Sequence, residues 1–173
     1  MRQPVPSEWE FLPAVFRCTF ELLGMSSPID ALQGEQMDEQ AVDALLADSG
    51  VGVLSMAAGN AGYGIPLSFG YDGDRLYFLF VGHSEAWKKV TYAEQSETAS
   101  FLVFEVEADG QWRSVIVEGP LERVTPDEWD AAREAMADNA YRPDLLTDAD
   151  PTENPRVWVL DAREKSGRAV GAD

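Results

Sequence analysis

Apolar and polar positions alternate strictly across residues 63–71. Tyr63, Ile65, Leu67, Phe69 and Tyr71 stand between Gly64, Pro66, Ser68 and Gly70. A period of two places successive side chains on opposite faces of a strand, so this segment predicts a strand with one heavy and one nearly bare face. Asp72-Gly73-Asp74 supplies a tight hairpin turn, and Arg75 to Val81 returns as a strand that is apolar on both faces. An antiparallel strand ordinarily keeps one wet face. One face here must therefore enter a core, while a helix, a ligand or a second subunit must cover the other. The bare face of Gly64, Pro66, Ser68 and Gly70 leaves room for something flat.

The rest of the chain reads by the same rules. Residues 38–48 form a short amphipathic helix carrying Ala41, Val42, Leu45 and Leu46 at helical spacing, stopped at Gly50. Residues 51–57 predict a strand, with turn chemistry at Gly59-Asn60-Ala61-Gly62. Ser84 caps a helix running to about Gln95, with Glu85 in its first turn. Residues 98–107 and 111–124 form a strand pair around Ala108-Asp109-Gly110, and Gly119-Pro120 implies a bulge or bend in the second. Thr125 caps a helix over 126–138 with proline in its first turn, an acidic loop follows over 139–155, and Arg156 to Leu160 is the last strand. The sum is mainly β with short helices: an antiparallel, six-stranded Greek-key barrel.

Length bounds this to one domain. The chain has 173 residues, and its hydrophobic fraction of 45% is ordinary for a folded protein. Residues 1–24 carry a net charge of only -1 and look foreign to the rest. We expect them to be a non-native or disordered extension, with Met25 the natural start and residues 25–173 the single domain. No apolar run approaches the roughly 18 residues that a membrane helix needs. The N-terminus lacks the charge order and cleavage site of a signal peptide. Cys18 is the sole cysteine, so no internal disulfide forms, and a reducing, cytoplasmic setting is expected.

Charge narrows the partners. With 31 acidic residues against 13 Lys and Arg, the net charge is -18. That argues against nucleic acid and anionic membranes, which need a basic surface. Abundant carboxylates with almost no lysine suit a salty cytoplasm, where a Debye length of about 3 Å at 1 M screens self-repulsion. Only three lysines exist, and two of them, Lys88 and Lys89, stand side by side just after Gly82-His83-Ser84, which holds the only histidine. A local cation pair in so acidic a chain points to an anion held by direct contacts. A solvated helix face is the alternative reading of the same pair.

The ordered combination of an x-Pro-x-Ser-Phe strand, an Asp-Gly hairpin, an apolar strand, a His-Ser…Lys-Lys segment and "QWRSVIVEG" resembles the pyridoxamine 5'-phosphate oxidase-like family of FMN-binding split barrels. The likeness covers residues 50 to about 125 well, and more loosely the helix at 38–48 and the ending Leu160 to Arg168. The acidic composition would fit a member from a halophilic archaeon. The resemblance implies a homodimer with FMN at the subunit interface. The flavin would lie against Pro66, Leu67, Ser68, Phe78 and Phe80, its phosphate would meet His83, Ser84, Lys88 and Lys89, and Trp112 and Ser114 would come from either subunit. Arg168 could approach the ligand or belong to a solvated tail.

The same family often carries a phosphate-binding arginine on its first strand, and residues 50–54 contain no cation. Recognition of pyridoxal phosphate also calls for more histidine and arginine than this chain has. The implied activity is therefore an FMN-dependent oxidoreductase of unknown substrate. An F420-dependent reductase and a non-catalytic flavin- or haem-binding dimer are the alternatives. Trp112 also reads as a core or interface aromatic, and Ser114 as a plain strand residue. One histidine and one cysteine supply no credible metal site, and the glycine clusters form neither a P-loop nor a dinucleotide fingerprint.

Overall fold

Asp38 starts the first helix as its own sequence dictates: its Oδ1 accepts the Ala41 amide at 2.8 Å. Helix α1 (Glu39–Asp48) then buries Val42, Leu45 and Leu46. The computed structural model describes residues 33–80, 88–108, 110–141, 143–146 and 156–171. The expected N-terminal extension and its boundary at Met25 lie outside these residues.

Among the described residues, nine antiparallel strands make one sheet. They are β1 (Glu35–Gln36), β2 (Val51–Ala58), β3 (Ala61–Tyr71), β4 (Arg75–Leu79), β5 (Ala99–Val106), β6 (Trp112–Gly119), β7 (Leu121–Arg123), β8 (Val157–Asp161) and β9 (Glu164–Val170). Their order is β1-β9-β6-β5-β2-β3-β4-β8-β7. Two further helices are α2 (Lys88–Gln95) and α3 (Trp129–Asn139), the latter entered through a 3-10 turn at Pro126–Glu128 with a capping box between Thr125 and Glu128.

The expected six strands of a closed barrel become nine among the described residues through three changes, the first being the short strand β1, which pairs with β9. The segment 111–124 is not one strand: it breaks at Pro120 into β6 and β7, which lie in different parts of the sheet. Gly119 permits the corner, since a Cβ there would run into the carbonyl oxygen of Asp161. Strand β9 was expected only as a loose ending, yet it pairs with β6 along its whole length. Its buried positions are Gly167 and Ala169, too small to announce a strand. A Cβ on Gly167 would meet Met37 and Val42 at 2.8 Å. Among the described residues the sheet curls but does not close.

Two cores follow from the two apolar faces of β4. Leu76, Phe78 and Phe80 point into the curl with Leu54, Phe69, Phe101 and Trp158. Tyr77 packs outside it, against Ala132, Ala135 and Met136 of α3. The cover on the outer face of β4 is thus a helix. That helix also takes one end of the bare face of β3: a Cβ on Gly70 would meet the backbone of Ala135 and Met136 at 2.5 Å.

Candidate functional site

The remaining bare face of β3 continues into a broad apolar surface. Residues opposite each other in antiparallel strands share a face. Pro66 pairs with Val53, Val53 with Leu102, and Leu102 with Ile116. In the neighbouring rows Ser68 pairs with Val51, Phe104 with Ser114, and Val106 with Trp112. All of these side chains lie outside the curl. Val51, Phe104, Val106 and Ile116 are 45%, 57%, 69% and 41% exposed. Beside them Gly62 has no atom within 4 Å of a built Cβ, and Gly64 has none closer than 3.7 Å. The result is a flat, apolar sheet face edged by two serine hydroxyls, a shape and chemistry suited to a planar ring. A hollow of about 360 Å3 opens at its Trp112 end, lined by Glu105, Gln111 and Arg113. There Arg113 Nε donates to Glu105 at 2.7 Å.

A second feature lies at one end of the curl, where α2 packs. Ser96 ties this helix down: its Oγ accepts the Ala57 amide and donates to carbonyl oxygen within the same locality, at 2.8–2.9 Å. The two lysines diverge. Lys88 Nζ lies 4.6 Å from the Tyr63 ring centre and 5.4 Å from that of Tyr92, a cation held over two π faces. Lys89 Nζ lies 5.5 Å from the Phe80 ring centre. Burial, followed by the nearby Arg156 charge, pushes the Lys89 ammonium below its ordinary pKa.

Arg156 is brought there by the sheet. Its carbonyl accepts the Phe80 amide at 2.9 Å. Phe80 stacks on Trp158 with ring centres 5.6 Å apart, and Arg123 lies 5.2 Å over the Trp158 ring while pairing with Glu94 at 3.1 Å. Trp158 is 2% exposed, and its indole N–H finds no acceptor among the described residues.

The residues expected at the site therefore separate. Pro66, Ser68, Trp112 and Ser114 share the outer sheet face. Leu67 points the other way and is half-buried against the core. Phe78 is fully buried, packed on Phe101 at 5.0 Å between ring centres. Phe80, Lys88 and Lys89 meet at the end of the curl. His83 and Ser84, with the first part of the helix expected from Ser84, lie outside the described residues. Sequence reasoning missed Arg156 and Trp158. Their signal was a cation and an aromatic two apart at the start of β8, hence on one face.

A larger cavity lies elsewhere. A groove of about 1030 Å3 runs between α1 and α3, floored by alanines and rimmed by Asp43, Asp72, Glu134 and Asp138, a setting that repels anions. The third lysine stands near it but is committed: Lys165 Nζ donates to Asp43, Tyr71 and the Gly73 carbonyl. No group of three His, Cys, Asp or Glu among the described residues could hold a metal, and no described helix is long and apolar enough to cross a membrane.

Residues 38–169 match the sequence family described as Pyridoxamine 5'-phosphate oxidase. No curated protein matches the chain by sequence. Solved structures resemble it in fold. An FAD-binding protein from Mesorhizobium loti shares 20% identity over 78% of this chain and 96% of its own, with a TM-score of 0.61. The FAD-binding protein from Mycobacterium smegmatis shares 20% over 78% and 97%, at 0.58. An FAD- and haem-binding protein from the same organism shares 15% over 81% and 74%, also at 0.58.

Proposed function

Since the chain belongs to the pyridoxamine 5'-phosphate oxidase family, we propose that it is an FMN-dependent oxidoreductase that works as a homodimer, with the flavin between two copies. The observation that carries this reading is the flat outer face of β3, β2, β5 and β6, where the exposed Val51, Phe104, Val106 and Ile116 adjoin Pro66, Ser68, Trp112 and Ser114. A partner subunit would cover the apolar part, and the bare Gly64-Pro66-Ser68 edge would take the ring.

The flavin supplies the redox chemistry when bound. The chain's own part is to bind, orient and exclude water. Ser68 and Ser114 offer hydroxyls to a ring edge, the apolar residues keep that edge dry, and the cations at the end of the curl would hold the phosphate. His83 and Ser84 join that set as expectations from the sequence. Phe78 would act only by filling the core beneath.

Adding FMN to the purified protein in high salt tests this. We expect a bound visible flavin spectrum and reduction of that flavin by NADH or NADPH. A protein that takes up no flavin refutes the reading. Binding without turnover would leave a carrier or sensor, and a haem spectrum would replace the cofactor.

A further inference from the structure

Glu118 and Glu164 stand directly opposite each other where β6 pairs with β9. Both are exposed on the outer sheet face. Side chains so placed have Cβ atoms about 4.5–5.5 Å apart, and like charges in that relation destabilise a sheet. No hydrogen bond or ion pair among the described residues involves either carboxylate. Further along the same face of β9 lies the exposed Arg168, opposite Ser114. It donates one N–H to the Gly34 carbonyl at 3.2 Å, which leaves most of the guanidinium donors facing outward. Midway between Glu164 and Arg168 is Ser166, opposite Ile116. From Ile116 an apolar row crosses the sheet through Leu102 and Val53 to Pro66.

The two sides of that row complement each other. On one side are the two carboxylates, with Ser100 and Ser55 beside them on β5 and β2. On the other side are the Arg168 guanidinium and the 57% exposed Phe104. Identical surfaces that meet face to face have their two-fold axis in the plane of contact, so each contact occurs twice. An axis along the apolar row sets each residue over the one equally far beyond the axis on the same strand of the other copy. Glu164 then faces Arg168 of the partner subunit, each about 7 Å from the axis at 3.3–3.4 Å per residue. Glu118 is one strand spacing away, so the same guanidinium serves both carboxylates and relieves their repulsion. Phe104 falls over Ser100 of the partner subunit, a large side chain on a small one.

We propose that a second copy of this chain docks on the outer face about a two-fold axis along the Ile116–Leu102–Val53 row, with Glu164 and Glu118 paired to Arg168 of the partner subunit. This rests on the homodimer reading above and assigns how the two copies meet. Opposite charges placed symmetrically about the axis let a chain of net charge -18 associate with itself. Direct contact keeps these pairs effective in salt that screens longer-range attraction.

Light scattering of the full chain over a dilution series, at one fixed salt concentration, tests this by charge reversal. Glu164→Arg and Arg168→Glu each replace two attractive contacts per dimer with two repulsive ones. Each should raise the dimer dissociation constant by about a hundredfold, about tenfold per contact. Mixed in equal amounts, the two variants should recover the wild-type mass, because a dimer of one with the other has both contacts attractive again. Variants that dimerise as tightly as the wild type overturn the arrangement while leaving the homodimer intact, and so do weakened variants that do not recover on mixing. Should either variant not fold, Glu164→Gln and Arg168→Gln serve. Their double variant should then lose no more affinity than the larger single loss, and additive losses overturn the pairing. A wild type that is monomeric refutes the homodimer itself, and this arrangement with it.

Discussion

Lys165 Nζ sits 2.7 Å from Asp43 Oδ1, and this contact joins β9 to α1. The same ammonium reaches the Tyr71 hydroxyl at 3.1 Å and the Gly73 carbonyl at 3.2 Å, so it also binds β3 and its hairpin turn. The lysine side chain is only 17% exposed, whereas that of Asp43 is 40% exposed. Lys165→Met should therefore destabilise the protein by about 1–2 kcal/mol, the range for a hydrogen bond to a charged group discounted for solvent. Chemical unfolding measures it, and combining the change with Asp43→Asn should cost less than the two single effects added. Additive costs would show that the two side chains do not interact.

The same network sets how stability varies with pH. Burial acts to raise the Asp43 pKa, but hydrogen bonds from Lys165 and Tyr71 outweigh it and hold the carboxyl below its ordinary value. Asp72 and Glu128 are lowered as well. A lowered folded pKa contributes stability above the unfolded value, and that stability is lost as pH falls through the folded one. At the other extreme, burial first and then Asp43 push the Tyr71 phenol up to about 12 against the opposing effect of Lys165, and Lys165 itself is raised by its partners despite burial. Raised values contribute stability below the unfolded pKa, near 10 for both groups. The stability curve should fall below about pH 4 and again above about pH 10. Asp43→Asn should flatten the acid limb; an unchanged limb would show that Asp43 plays no part in it.

Gly119 and Gly62 make a paired test of the bend between β6 and β7. A Cβ on Gly119 has the Asp161 carbonyl in its way, while one on Gly62 meets nothing within 4 Å. Gly119→Ala should cost about 1–3 kcal/mol or more through overpacking. Gly62→Ala should be close to neutral, and thermal unfolding of the two variants decides the matter. Equal midpoints would place the corner under some control other than contact with β8.

What the sequence made legible was periodic and local. The alternation over 63–71, the Asp-Gly turn, the helical spacing over 38–48 and the cap at Thr125 all became the elements they announced. The two-faced apolar pattern of β4 correctly required a cover on each side, but α3 lies some fifty residues downstream and nothing local names it. Strand β9 was missed because its inward positions are Gly167 and Ala169, and tight contact with Met37 and Val42 selects small residues that carry no apolar signal. The candidate site was legible where it is strand-borne, at Pro66, Ser68, Trp112 and Ser114. The junction of Lys89 with Arg156 depends on β4 pairing with β8, a tertiary fact.

Salt should stabilise this protein. Raising KCl from about 0.1 M to about 1 M shortens the Debye length from about 10 Å to about 3 Å, which screens the repulsion among 31 acidic residues. The surface ion pairs weaken as well, but each is worth only about 0–1 kcal/mol, and they are few beside the excess of carboxylates. The unfolding midpoint should rise across that range. A midpoint that falls would mean that the ion pairs outweigh the repulsion.

The outer sheet face makes the last prediction. Phe104 is 57% exposed and stands opposite Ser114, beside the row of Val106 and Trp112. Exposed apolar groups scattered singly are common, but a contiguous cluster marks a contact surface. Phe104→Asp places a carboxylate in the middle of that cluster. Phe104 belongs to neither buried cluster, so the folded monomer should survive. In the proposed homodimer it would instead bury an unpaired charge in each subunit, at a cost of several kcal/mol. Light scattering should then report half the wild-type mass with an unchanged far-ultraviolet spectrum, and FMN affinity should fall with it. A variant that remains dimeric would move the interface off this face. One that becomes monomeric yet binds FMN as tightly as before would confine the flavin to a single subunit.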